Sequence, residues 1–169
     1  MRTLFLTIII FFITTLAIAA DPEMHHDANQ PVKITSQQLE ADDNAGNFVF
    51  TGDVQAQQGD VFIYAQKMTV TYVRVVNPQD NTGEKRQIDQ VVAEDDVRIV
   101  QLNRVATGQR AVFYHREGRI VLTGDPRVAQ GDNAVEGERI IVYFNDSRSI
   151  VEGSDNRRVK AVFIPGEQQ

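Results

Sequence analysis

From Val32 onward, short runs rich in Val, Ile, Phe, Tyr and Thr alternate with polar positions and are broken by Gly, Asn or Asp. Breaks of this kind every 8 to 12 residues or so predict an all-β sandwich or barrel. No window sustains a 3.6-residue apolar period, so helix is not expected. Phe48, Phe50, Val54 and Ala56 share one strand parity, and Ile120, Leu122, Pro126 and Val128 share the matching one. After a Gln-Gly-Asp turn, Val61, Ile63 and Ala65 point one way, followed by Met68, Val70 and Tyr72, whereas Gln55, Gln57 and Arg127 fall opposite. Side chains alternate across a strand, so this parity predicts one apolar face and one wet face.

The pattern repeats. Asn44–Val54 (NAGNFVFTGDV) matches Arg116–Pro126 (REGRIVLTGDP) without a gap at an offset of 72, and the match runs on to Tyr72 and Phe144. A weaker middle copy spans Ala93 to Tyr114, and a partial fourth spans Ile150 to Ile164. Repeated units that cannot each bury an apolar face imply stacking into a continuous core. One elongated antiparallel sandwich or partly open roll is expected. Asn77–Gln87 reads as a hydrophilic hairpin-like loop.

Ahead of the repeats, Met1–Ala20 has the layout of a secretory signal peptide. Arg2 gives the positive start, Leu4–Leu16 the apolar core, and Ala17-Ile18-Ala19-Ala20 the small-residue end. An uncleaved anchor is the competing reading; the small-residue site favours cleavage. Residues 21–31 form a polar leader, 32–165 the β-domain and 166–169 a tail. The full chain has 169 residues and a net charge of −6, which becomes −7 when Arg2 is lost. The absence of Cys excludes a disulfide scaffold, a thiolate metal site and a cysteine nucleophile. The acidic balance argues against nucleic-acid binding.

No catalytic constellation emerges, and neither an enzyme nor a cofactor is expected. His25-His26 sits in the leader and His115 in a turn, neither with the further ligands a metal needs. Asp42-Asp43 and Glu94-Asp95-Asp96 suggest paired carboxylates, but acidic residues at β-turns are common, and the solvated-turn reading is preferred. The informative feature is the apolar face. It either fills its own core or lines a cleft for an apolar ligand.

Several short motifs recur in order: Ile34-x4-Leu39-x-Ala41, Phe50-Thr51-Gly52-Asp53-Val54-x3-Gln58-Gly59-Asp60, Ala65-Gln66-Lys67-Met68 and Leu122-Thr123-Gly124-Asp125-Pro126. With the preceding signal peptide, these resemble the periplasmic lipopolysaccharide-transport bridge family (LptA, the OstA-like N-terminal domain) over Val32 to about Pro165. The resemblance implies a β-jellyroll of taco-like section whose apolar interior holds lipopolysaccharide acyl chains. Its subunits stack head to tail between an inner-membrane transport complex and an outer-membrane translocon. Carried onto this sequence, it nominates Val32, Ile34, Phe48, Phe50, Val54, Ile63, Val97, Ile99, Phe113, Ile120, Leu122, Val128 and Val142 as lumen-facing, and Val32–Leu39 and Val159–Pro165 as the edge strands. Recognition of lipid phosphates calls for a local cation such as Arg104, Arg110 or Lys67; none is assigned. The alternatives are the membrane-anchored partner of the same system, a structural β-repeat that binds no lipid, and a glycan-acting enzyme using Asp95 and Asp96.

Overall fold

The computed structural model describes residues 31–75, 85–144 and 148–164. The signal-peptide, His25-His26 and tail readings lie outside these residues. The described chain forms β1 (Lys33–Thr35), β2 (Gln38–Asp42), β3 (Asn47–Gln58), β4 (Val61–Val75), β5 (Lys85–Gln101) and β6 (Arg104–Tyr114). It continues with β7 (Arg119–Thr123), β8 (Arg127–Gln130), β9 (Asn133–Glu136), β10 (Arg139–Tyr143), β11 (Arg148–Glu152) and β12 (Lys160–Val162). All pair antiparallel in one sheet that does not close into a barrel, and no described helix is long and apolar enough to cross a membrane. The all-β, partly open roll expected from the spacing is what forms.

One line organises it. Register shifts fall between Thr51 and Val54 in β3, between Tyr64 and Lys67 in β4, and between Glu94 and Val97 in β5. At the same level, breaks separate β7 from β8, β9 from β10, and β11 from β12. Bulges bend strands and increase their twist. The sheet is therefore creased into two leaves of eight segments each. The first holds β2, β7, β10, β11 and the adjoining parts of β3 to β6; the second holds β1, β8, β9, β12 and the remaining parts.

The crease is built from left-handed residue pairs, repeated three times: Gly52-Asp53 (φ 81 and 45), Asp95-Asp96 (φ 63 and 54) and Gly124-Asp125 (φ 70 and 57). Glycine enters this region without a Cβ penalty, and Asp tolerates it better than most. The repeat also reproduces its hydrogen bonds. Gln37 N–H donates to Gly52 O (3.0 Å) as Gln109 N–H donates to Gly124 O (2.8 Å), and Tyr72 N–H donates to Gly46 O as Phe144 N–H donates to Gly118 O, both at 2.9 Å.

Four sequence expectations are corrected. Glu94-Asp95-Asp96 is not a solvated turn but the crease of the middle copy, with Asp95 standing where the other copies carry Gly. The N-terminal strand splits at Ser36-Gln37, because the crease crosses it between β1 and β2. The C-terminal strand shortens to Lys160–Val162, and Lys85–Gln87 belongs to β5 rather than to a loop.

Nor is the outer face uniformly wet. On the first leaf, Val49, Thr69, Val92, Val112, Val121, Ile141 and Ile150 form one unbroken register row. Val112 (3% exposed) and Ile141 (8%) are buried although they face outward. Long neighbours flank them in register: the Arg110–Glu94 and Arg139–Glu152 pairs on one side, and Arg119 over Tyr114 and Arg148 over Tyr143 on the other. Such side chains cover apolar surface with their stems while their heads stay wet.

The crease gives a stability test. A Cβ at Gly124 would lie 2.5 Å from Gln109 Cβ, whereas one at Gly131 (φ +56) would meet nothing within 4 Å. Gly131→Ala is expected to cost about 1–2 kcal/mol, the left-handed penalty alone. Gly124→Ala adds overpacking of roughly 1–3 kcal/mol. Urea denaturation of the two variants measures the difference; equal losses would contradict a tightly packed crease.

Candidate functional site: the apolar inner face

Three inner rows can be followed strand by strand. Beside the crease on the first leaf run Leu39, Phe50, Met68, Ala93, Ala111, Leu122, Ile140 and Val151. Nearer the rim of that leaf run Phe48, Val70, Val91, Phe113, Ile120, Val142 and Ser149. On the second leaf the row is Ile34, Ala56, Ile63, Ile99, Ala106, Val128, Val135 and Ala161.

Both leaves contribute to a single hydrophobic cluster. Eleven members are buried, among them Val54, Val97 and Leu122 at 1% exposure each. Thirteen more, including Ile63, Ile99, Phe113 and Val142, pack against these but remain only partly covered. The face has a dry floor, with Leu122 and Val97 beside the crease and Val70 and Ile120 one row out, and half-covered walls.

Of the thirteen residues nominated from sequence, Val54, Val97, Ile120 and Leu122 belong to the floor. Ile34, Phe50, Ile63, Ile99, Phe113, Val128 and Val142 belong to the walls. Phe48 stands edge-on to Tyr72 (centroids 5.5 Å apart) at one end of the face. Val32 precedes β1 and is 46% exposed, outside the cluster. Several members were not nominated, notably Ile140, Phe144, Ala93 and Ala111. The 72-residue offset points to Ile140 and Phe144 from Met68 and Tyr72; the alanines belong to the middle copy, whose register hinges on a crease without glycine.

The rims differ chemically. That of the first leaf is aromatic, with Phe113 5.8 Å from Phe144 and 6.0 Å from His115. That of the second leaf is polar: Gln58, Val61, Gln101, Arg104, Gln130 and Asn133 continue the inner parity by one more row. A recess of about 330 Å³ beside Phe48 and Tyr72 is lined by Asp42, Asp43, Arg74 and Arg86, with Arg86 paired to Asp43 at 3.1 Å. It is too charged for hydrocarbon and lies at the margin of the apolar face.

The three candidate cations are separated by face. Arg110, bound to Glu94 at 3.3 Å, and Lys67 occupy the outer spine of the crease, and Arg104 occupies the inner rim. The Glu117 hydrogen bond pushes the Arg119 guanidinium further up, which leaves it charged. Among the described residues no cluster of three or more His, Cys, Asp or Glu could hold a metal ion.

Comparison with known proteins places this face in context. The family model described as "LptA/(LptD N-terminal domain) LPS transport protein" matches residues 33–148. Among the 20 solved chains that match is LptH from Pseudomonas aeruginosa, whose description calls it the LptA homologous periplasmic component of the lipopolysaccharide transport device. It is 22% identical over 80% of this chain and 96% of its own, with a TM-score of 0.66, a likeness of fold. No curated protein matches in sequence.

Floor and wall should respond differently to truncation. Leu122→Ala is expected to cost about 2–5 kcal/mol, as for any buried leucine. Ile99→Ala should cost about 1–2 kcal/mol, because that side chain is only partly removed from water. Chemical denaturation checks both; a wall variant as costly as the floor variant would mean a fully packed core.

Proposed function

The chain belongs to the LptA/LptD N-terminal domain family of LPS transport proteins, and from that premise we propose that it is a periplasmic bridge subunit carrying lipopolysaccharide, whose acyl chains lie against the inner face. The observation that carries this reading is the ring of thirteen inward-facing apolar residues left only partly covered. A sheet that closed on itself would bury them. A saturated chain of about 14 carbons exposes roughly 11 kcal/mol of apolar surface to water, at about 0.8 kcal/mol per CH₂. Several chains on one head cannot cross an aqueous space unless something covers them. Contact with branched aliphatic walls is non-directional, so a lipid can slide along them without a single strong hold.

The sheet edges support head-to-tail stacking. One end of the sheet is β1 and β2, the other β11 and β12. β1 runs from rim to crease and β12 from crease to rim; β2 runs from crease to rim and β11 from rim to crease. A second copy translated along the strand order would meet antiparallel edges on both leaves at once. Of the seven large apolar side chains exposed among the described residues, six (Val32, Leu39, Val159, Val162, Phe163 and Ile164) lie at or beside these terminal strands. Exposed edges otherwise invite aggregation, and pairing with the next subunit removes the liability. Such a contact is heterologous and does not close, so chains of subunits form. The end subunits would meet an anchored jellyroll at the inner membrane and a translocon at the outer membrane. No catalytic step is assigned.

Two experiments test the reading. A photoreactive residue at Ile99 or Phe113 is expected to capture lipopolysaccharide, while one at outward-facing Val100 or Val121 captures little; equal capture on both faces would sink the proposal. The chain has no native Cys, so a Lys33→Cys/Val162→Cys protein gives a clean background. These positions lie in one register row at opposite ends of the sheet. Oxidation is expected to produce a ladder of disulfide-linked oligomers from the double variant and none beyond dimers from either single variant.

A further inference from the structure

The repeat is broken at one hairpin in two ways. Three two-residue hairpins reach the rim of the second leaf, each starting with a left-handed residue: Gly59 (φ 59), Leu102 (φ 51) and Gly131 (φ 56). Leucine in this conformation costs about 1–2 kcal/mol that glycine avoids. Leu102 is also 67% exposed, so no burial offsets the cost. Two residues on, where the other copies carry Val61 and Asn133, the middle copy carries Arg104. This hairpin joins β5 to β6, the two middle strands of the second leaf.

Arg104 is the cation of that leaf with inward parity; Arg98 and Arg127 have the opposite parity. Elsewhere Arg110, Arg127 and Arg139 are each engaged by a carboxylate. Arg104 is held only through Nε, which donates to Gln130 Oε1 at 3.0 Å. Gln130 Nε2 in turn donates to Asn103 Oδ1 at 3.3 Å, and Gln101 Nε2 to Asp60 Oδ2 at 3.4 Å. The neutral Gln130 positions the guanidinium without neutralising it. Its terminal N–H groups make no hydrogen bond or ion pair within the described chain. From crease to rim, the inner face of this leaf thus passes from Val97 through Ile99 to Gln101 and Arg104.

We infer that the Gln101–Arg104 hairpin is the head-group contact of the carrier: Arg104 binds an oxyanion, a phosphate in preference, on an amphiphile whose tails occupy the apolar rows below. The inference rests on the carrier reading of the inner face. A planar guanidinium matches phosphate geometry with paired N–H donors, and the flanking amides suit the hydroxyl and amide groups of a sugar head. Leu102 lies in the turn beyond the Gln101–Arg104 rung and is exposed. An adaptation for stability would have placed glycine there.

The test uses the full chain and two probes, an acylated glucosamine disaccharide bearing phosphates and the same lipid dephosphorylated, with affinity measured by calorimetry. Arg104→Gln is expected to weaken binding of the phosphorylated lipid about tenfold, in the range of a partly exposed charge-assisted hydrogen bond. It should leave the dephosphorylated lipid within about twofold, and Arg104→Lys, which keeps the charge but not the paired donors, should recover only part of the loss. Arg110→Gln, on the outer spine, should change neither. Equal weakening of both lipids, or no change in either, overturns the head-group assignment while the carrier reading stands. If the unaltered chain binds neither lipid, the carrier reading itself fails, and this inference with it.

Discussion

A sheet with one apolar face must hide that face, and here the backbone does so by bending at a single line. The left-handed pairs Gly52-Asp53, Asp95-Asp96 and Gly124-Asp125 fall at one level of the sheet. Because the register shifts in β3, β4 and β5 coincide, the inward side of both leaves stays on one side of the chain and supplies one cluster. Leu122 and Val97 beside the crease are dry, while Ile63, Ile99, Phe113 and Val142 farther out are half covered. No described strand pairs across the open side to join the two rims, so the sheet itself does not close over the face.

Leaving an apolar face unfinished costs stability, and the outer surface offsets part of that cost. The row from Val49 to Ile150 puts β-branched residues opposite one another across seven strands of the first leaf, the arrangement in which such side chains pack best on a pleated surface. Ion pairs along the spine, such as Arg110–Glu94 at 3.3 Å, are exposed and each worth under about 1 kcal/mol. Their larger contribution is to cover Val112 and Ile141. A second apolar seam on the outside holds the first leaf together independently of what the inner face contains.

Much of this was legible in the sequence. The spacing of Gly, Asn and Asp announced an all-β chain, and the 72-residue offset paired Phe50 with Leu122 and Gly52 with Gly124, both equivalences that recur in the structure. The inward side of β3 and β7 was readable because alternation is uninterrupted between the crease and the turn. The middle copy was harder, since Asp95 and Leu102 stand where glycine marks the other copies, and without that mark the register slides. The outer seam was hidden for a different reason. Valines at outward positions look like ordinary strand formers, and only the register shows that they line up beneath arginine and tyrosine side chains. The separation of Arg104 from Arg110 and Lys67 likewise depends on bulges that invert parity along a strand, which no alternation count can supply.

The proposed transport depends on which apolar surface the lipid occupies, and the chain carries methyl groups on both sides. Nuclear Overhauser contacts between the acyl methylene protons of bound lipopolysaccharide and isotopically labelled methyl groups would read this directly. Contacts are expected to Ile63, Ile99, Val128 and Val142 on the inner face and not to Val112, Val121 or Ile141 on the outer seam. Contacts confined to the outer set, or an inner set unperturbed at saturating lipid, would contradict it.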